Sequence, residues 1–367
     1  MEKLRFLSPI EGALLLSGAD GTEIDGKLLT PVCVAAPQDC APEINGIPGI
    51  WNGEAFAAQV PLEPGFNVIA AQSPGMERQE IRVWWLKGAA RKVHMTVDDC
   101  IRCFEDLTLH ADSYTSIFDN PFLAIFREAH VRYGSKVHIN VFYESVDGRF
   151  NLSMMTDRYR EEFIANAGWL SLSFHALREF PDYPYQNADY AQVCGDCKTV
   201  TDEIIRFAGE EVLRESTTLH WGEANRQGVR ALRDAGFRAL CGYLQFGENG
   251  QPYVSYHLNA DQVGHAQHRE GFVDFEEDVW LFKLDFVLDS QALTAERVIP
   301  FLDELSQRPH EGQMILGVIH EQYFYPEYVR YEPDYAQRVL NVARWAHEHG
   351  YEPISLTDVL RNTANGQ

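Results

Sequence analysis

The chain has 367 residues, 45% hydrophobic and 23% charged, which supplies apolar material for a large core and allows two or three domains. Its 54 acidic side chains outweigh 31 basic ones for a net charge of −23, with no dense Lys/Arg run. Binding to phosphates needs the opposite sign, so nucleic acid and anionic membrane are excluded as partners. No stretch approaches about 18 consecutive apolar residues, and residues 1–11 lack the apolar segment and small-residue cleavage site of a secretory signal. A soluble, cytoplasmic protein is the expectation.

Residues 1–88 read as all-β. Strand-like runs at 31–35, 55–60 and 81–86 alternate with the turn signals Asn45-Gly46, Asn52-Gly53 and Pro64-Gly65. No helical periodicity interrupts them, which predicts a small antiparallel sandwich. Lys87-Gly88-Ala89-Ala90 marks the boundary, and residues 89–367 form the second domain.

From there strands and helices alternate. Strand-like runs fall at 92–98, 136–143, 169–175, 216–221, 238–243, 279–288 and 313–320. Helical patterns cover 121–134, opened by Asn120-Pro121, then 156–167, 187–208, 223–235, 294–306 and 334–349. Seven such strands predict a parallel α/β barrel or open sheet. The segment 243–278 is less regular and reads as an inserted hairpin. Seven cysteines include two CxxC pairs, Cys100/Cys103 and Cys194/Cys197. These are either a shared zinc site or buried thiols.

Ionisable residues recur at the C-terminal ends of the predicted strands: Asp98-Asp99, His175, His220, and His320-Glu321. Parallel α/β folds converge loops and helix N-termini at that end and place active sites there. In the third strand Leu170, Leu172 and Phe174 share one face while Ser171, Ser173 and His175 share the other. The sixth presents Lys283 and Asp285 opposite Trp280, Phe282, Leu284 and Phe286. Adjacent carboxylates divide labour if one holds a cation and the other acts as general base. Alternatively, Asp98 or Asp99 caps the helix that starts near Cys100. Aromatic loops at 180–185 and 323–328 suit the apolar ring faces and hydroxyl rims of a carbohydrate, with Trp221, Tyr185 and Tyr323 as candidate contacts beside Asp285 and Glu321.

Thr96-Val97-Asp98-Asp99 resembles the T-F-D-D motif of the polysaccharide deacetylases, carbohydrate esterase family 4. Ser173-Phe174-His175-Ala176-Leu177-Arg178-Glu179 occupies the place of that family's H-[S/T]-x-x-H. The helix ending Ala235-Gly236-Phe237 and the final strand ending Val318-Ile319-His320 are similar to its later motifs. The resemblance implies a distorted (β/α)7 barrel. The segment 43–69 loosely resembles the immunoglobulin-like modules of carbohydrate-active enzymes.

Two departures stand out. Glu179 replaces the second motif's final histidine, and Leu219-His220-Trp221-Gly222 stands where the family has R-x-P-[FY]. By resemblance Asp99 and His175 ligate a divalent metal, Zn²⁺ with Co²⁺, Fe²⁺ or Ni²⁺ as alternatives, Asp98 is the base and His320 the acid. The third ligand is His220 or Glu179; His220 is favoured because Phe180-Pro181 ends helical geometry just after Glu179. The implied reaction is removal of an N- or O-acyl group from a sugar. Two rivals follow from the same residues: a metal-free glycosidase pairing Asp98 with Asp285 or Glu321, and a degenerate barrel that only binds glycan.

Overall fold

In the computed structural model, which describes residues 4–364 and side chains through residue 360, residues 5–85 form two packed sheets. One contains Arg5–Ser8, Thr22–Ile24, Lys27–Ala35, Ile50–Trp51 and Phe56–Leu62; the other is built around Gly65–Gln72 and Gln79–Trp85. Strict alternation along Lys27–Ala35 sends Leu28, Thr30, Val32 and Val34 inward, where they meet Val60, Ile69, Val83 and Trp85.

The remainder is a mixed α/β fold. Seven strands point the same way: β1 (Lys92–Cys100), β2 (Val137–Phe142), β3 (Leu170–Ala176), β4 (Ser216–Thr217), β5 (Ala239–Gly242), β6 (Val279–Lys283) and β7 (Met314–His320). They make two sheets, one ordered β3-β2-β1-β7 and continued by Phe286–Val287, the other β4-β5-β6 with Gly271–Asp274 antiparallel at its edge. The chain passes between the sheets at Leu284-Asp285: the Leu284 amide donates to the Gly242 carbonyl and the Asp285 amide to that of Leu316. On the other side, β3 and β4 are joined by side chains rather than a ladder. Ser173 Oγ donates to the Ser216 carbonyl at 2.8 Å, and the Thr217 hydroxyl donates to the Phe174 carbonyl.

Each strand is buried on both faces, as parallel sheets covered by helices require; β2 has no exposed residue. The covering helices form where their signals predict. Asn120 caps Pro121–Tyr133 by accepting from the Leu123 amide at 2.9 Å, and Gly134 ends it in the left-handed conformation. The segment 243–278 holds a hairpin, Gln245–Phe246 with Pro252–Tyr253, followed by the helix Ala260–Ala266.

The segment at the predicted boundary is packed on both sides. Leu86 and Ala89 are buried in a core shared by Leu14 and Leu16 of the sandwich with Ala239, Phe282 and Leu316 of the parallel sheets. Trp84 packs edge-on against Trp280, and the Val273 amide donates to the Gly12 carbonyl. Among the described residues, no helix is long and apolar enough to cross a membrane.

Glu321 organises the end of the fold that matters most. It is fully buried and accepts from three successive amides, Ile101, Arg102 and Cys103, at 2.7–2.8 Å. Those amides open the helix Arg102–Leu109, which has no side-chain cap of its own. A buried carboxylate with three donors leaves all of them unpaired when removed. Glu321→Ala is therefore expected to lose about 3–5 kcal/mol of stability. Urea unfolding reads this directly, and a loss under about 1 kcal/mol would contradict the capping role.

Candidate metal centre and cleft

Local irregularities aim the polar side chains. Against β2, the register of β1 shifts between Val97 and Cys100, leaving one extra residue, and Asp99 takes a φ of 63°. Such a bulge re-aims side chains that a regular strand would send to opposite faces. Asp98 and Asp99 consequently line the same cleft. A second shift, where Val141 opposes Phe174 but Phe142 opposes Ala176, occurs at His175.

Three ligating atoms converge there. Asp99 Oδ1 lies 2.9 Å from His175 Nε2 and 3.2 Å from His220 Nδ1, and the two ring nitrogens are 3.1 Å apart. Among the described residues this is the one His/Cys/Asp/Glu group close enough to hold an ion. Each imidazole uses its other nitrogen on a backbone carbonyl: His175 Nδ1 on Thr218, His220 Nε2 on Glu179 at 3.0 Å. Carbonyls only accept, so those nitrogens carry the protons and the inward nitrogens are left as lone pairs. Asp99 Oδ2 is held by Gln322 Nε2 at 2.8 Å, which fixes Oδ1 toward the histidines. Donors bonded at about 2.0–2.1 Å in a tetrahedral zinc site stand about 3.3 Å apart. The spacing and the donor set both fit a divalent cation.

Beside this group lie two differently tuned side chains. Asp98 is buried, which raises its pKa, and its Oδ1 accepts from Asn140 Nδ2 at 2.7 Å and Thr96 Oγ1 at 3.0 Å. Opposite it in the β1–β7 register is His320. Burial disfavours the imidazolium there, yet Asp289, 2.8 Å from Nδ1, with Asp99 and Asp98 further off, carries the pKa up to about 10. Asp289 Oδ2 also accepts from the His320 amide at 2.6 Å, which locks the ring's orientation.

The cleft above these groups measures about 390 Å³, within the range of small-ligand sites. Three of its lining side chains keep buried polar atoms without a protein partner: Thr218 Oγ1, Trp221 Nε1 and Gln322 Oε1. Trp221 has a φ of 64°, rare for a bulky side chain, and packs against Tyr183 with ring centres 4.6 Å apart.

No protein-family model matches the chain, and no curated protein matches it. Solved structures do. A 4-alpha-glucanotransferase from Thermococcus litoralis aligns over 74% of this chain and 40% of its own length, at 13% identity and TM-score 0.46. Agd3, described as a novel carbohydrate deacetylase, aligns over 93% of this chain and 66% of its own, at 8% identity and TM-score 0.42. A family 4 acetyl xylan esterase from Clostridium thermocellum, solved with a cobalt ion, aligns over 75% and 96%, at 13% identity and TM-score 0.36. Carbohydrate deacetylases are among its structural neighbours. This chain spans well under the full length of the first two, and likenesses this distant bear on no residue's role.

Of the residues singled out from sequence, Asp98, Asp99, His175, His220, Trp221, His320 and Tyr323 all line the cleft. Glu179 lines it too, but its backbone carbonyl, not its carboxylate, meets His220. Three lie elsewhere. Asp285 is paired with Lys283 at 2.8 Å and accepts from the Leu316 amide. Glu321 is sealed beneath the helix it caps, which also means that neither Asp98 nor Asp99 is needed there. Tyr185 is 1% exposed, its hydroxyl accepting from the Leu177 amide. The cysteines are all free and, among the described residues, join no ligand group; burial lifts the Cys100 and Cys103 thiols well above their usual range. Asp289 and Asn140 were missed. Asp289 follows the sixth strand-like run, the position that singled out the others, and Asn140 is a lone amide inside an apolar strand.

Proposed function

We propose that the protein is a metal-dependent hydrolase that removes an N- or O-acyl group, such as acetyl, from a carbohydrate. In this reading residues 89–367 are a distorted (β/α)7 barrel of the polysaccharide deacetylase type, and residues 1–88 an immunoglobulin-like module. One observation carries it: three lone pairs, from Asp99, His175 and His220, converge beside a buried carboxylate and a carboxylate-paired histidine.

A divalent ion, Zn²⁺ or alternatively Co²⁺, Fe²⁺ or Ni²⁺, would be held by those three side chains and supply Lewis-acid polarisation of the acyl carbonyl and a lowered pKa for water. Asp98, its carboxylate aimed by Asn140 and Thr96, accepts the proton of the attacking water. His320, kept as imidazolium by Asp289, donates a proton to the departing amine or alkoxide. A metal-free glycosidase is disfavoured because neither proposed partner of Asp98 faces it: Asp285 and Glu321 are both committed to backbone amides. The test is acetate release from acetylated mono- and oligosaccharides, with the protein stripped by chelator and reloaded with each metal. Release that needs the metal supports the reading. Glycan binding without release at any metal loading selects the degenerate binding barrel.

The His320–Asp289 pair makes a separate prediction. Because the folded pKa lies above the unfolded value of about 6.5, its contribution to stability is complete below that value and is lost as pH rises through about 10. Asp289→Asn is therefore expected to destabilise the metal-free protein most below about pH 6.5, the difference from wild type shrinking as pH rises and vanishing as it passes about 10. The high-pH limb of activity should move to lower pH in the same variant. Urea midpoints that differ equally at every pH would contradict the pairing.

A further inference from the structure

At the end of the strands opposite the cleft lies a cavity of about 250 Å³ whose residues the proposed hydrolysis does not use. Its walls come from near the N-terminal ends of β1, β2, β3 and β4 and from the start of the helix Leu356–Ala364. In parallel α/β barrels that end serves packing rather than chemistry, so ionisable groups gathered there need another cause. His94 lines the cavity and is 2% exposed. Its Nδ1 stands 3.1 Å from the Ile354 carbonyl, which only accepts, so Nδ1 carries the proton and Nε2 is left as a lone pair. No protein group meets that nitrogen among the described residues. Burial, helped by the charge of Lys136 and opposed by the bond to Ile354, lowers the ring's pKa to about 4 and keeps it neutral.

The same walls carry two cations, in a chain whose net charge is −23. The Arg214 guanidinium is fixed by the carbonyls of Glu211, Leu213 and Ala167, and Lys136 Nζ lies 3.3 Å from Asp358 Oδ2. Ser355 Oγ is buried and, among the described residues, without a partner. It stands just before the first turn of the helix Leu356–Ala364, the end of a helix that favours anions.

We propose that this cavity binds a phosphate group that carries a proton, either free hydrogen phosphate or the singly ionised monoester of a small molecule. The mixture of donors and acceptors selects that class. Lys136, Arg214 and the Ser355 hydroxyl donate to the phosphate oxygens, while His94 Nε2 and Asp358 accept from the P–OH. Sulfate has the same shape but no proton at neutral pH. It would set oxygen lone pairs against the lone pair of His94 and the carboxylate of Asp358. The site is independent of the acyl-releasing chemistry at the other end of the strands.

The experiment is calorimetric titration of sodium phosphate, sodium sulfate and glycerol phosphate, at matched ionic strength and neutral pH, into the full chain. Chelator treatment beforehand removes any metal that would draw the anions to the cleft. Phosphate is expected to bind at one site, about tenfold or more tighter than sulfate. Lys136→Ala should weaken phosphate binding about tenfold, and the fold survives it because that side chain is one-third exposed. His94→Phe should narrow the preference for phosphate over sulfate. Tighter binding of phosphate than of glycerol phosphate assigns the site to the free ion, and the reverse order assigns it to a monoester. No binding of either phosphate, equal binding of phosphate and sulfate, or phosphate binding that Lys136→Ala leaves intact overturns the proposal. Those three outcomes are read without the His94 variant, so the test stands even where that variant fails to fold.

Discussion

His175→Ala protein, loaded with Zn²⁺ or Co²⁺ and dialysed, is expected to emerge without metal and without acyl-releasing activity. Changes to residues that merely orient a metal ligand typically cost about 10–100-fold in affinity. Removing one of three ligands must cost more, because the remaining Asp99 and His220 then face an ion with two open positions. The variant also loses the ring that packs against Phe142 with centres 5.0 Å apart, and leaves the Thr218 carbonyl unpaired. A control that keeps the fold is therefore required. Glu179→Ala supplies it, since that carboxylate stands outside the ligand group while the backbone carbonyl that orients His220 survives the substitution. Elemental analysis should find metal in Glu179→Ala and none in His175→Ala. Metal retained by His175→Ala would remove His175 from the site, and metal lost from Glu179→Ala would reverse the choice between His220 and Glu179.

The strands were legible because two signals coincide in them: apolar runs of strand length, and a polar residue where each run stops. Parallel strands buried on both faces allow few ionisable side chains except at the end that opens to the cleft. That rule reached His175, His220 and His320. It failed where sequence order does not reveal direction. Glu321 is adjacent to His320, but the turn into the 3-10 segment Glu321–Phe324 sends it toward the amides of Ile101, Arg102 and Cys103. Asp285 sits in phase along the sixth run, yet the run is broken: β6 stops at Lys283, the chain changes sheets, and Asp289 becomes the strand-end carboxylate that meets the cleft. Period-two reasoning cannot survive a change of sheet. The bulge at Asp98-Asp99 was invisible for a related reason, since an extra residue is defined by the partner strand and not by the chain that carries it. The contact of Trp84 with Trp280 likewise joins distant parts of the chain, and nothing local to Gly88 distinguishes a hinge from a seam.

Because that bulge turns both carboxylates into one cleft, their roles must be separated by chemistry and not by direction. Asp99→Asn should lose the metal. Its Oδ1 faces two imidazole lone pairs, and a neutral amide oxygen is a far weaker partner for a divalent cation than a carboxylate. The variant should nonetheless fold. Gln322 donates to Oδ2 with Nε2 while its own Oε1 is buried and unpartnered, so a flip of that amide accepts the new NH₂ group. Asp98→Asn should keep both metal and fold, because an amide oxygen still accepts from Asn140 and Thr96. Its cost falls on turnover. An amide cannot take a proton from water, and the loss of a positioned general base is worth about 10²–10⁴ in kcat. The pair of variants is read by metal content and by kcat on the same acetylated sugar. Equal loss of metal from both makes Asp98 a ligand as well; full activity in Asp98→Asn removes the base from this position. Retention of metal in Asp99→Asn is the outcome most damaging to the proposed centre, since no other carboxylate stands close enough to His175 and His220, among the described residues, to take its place.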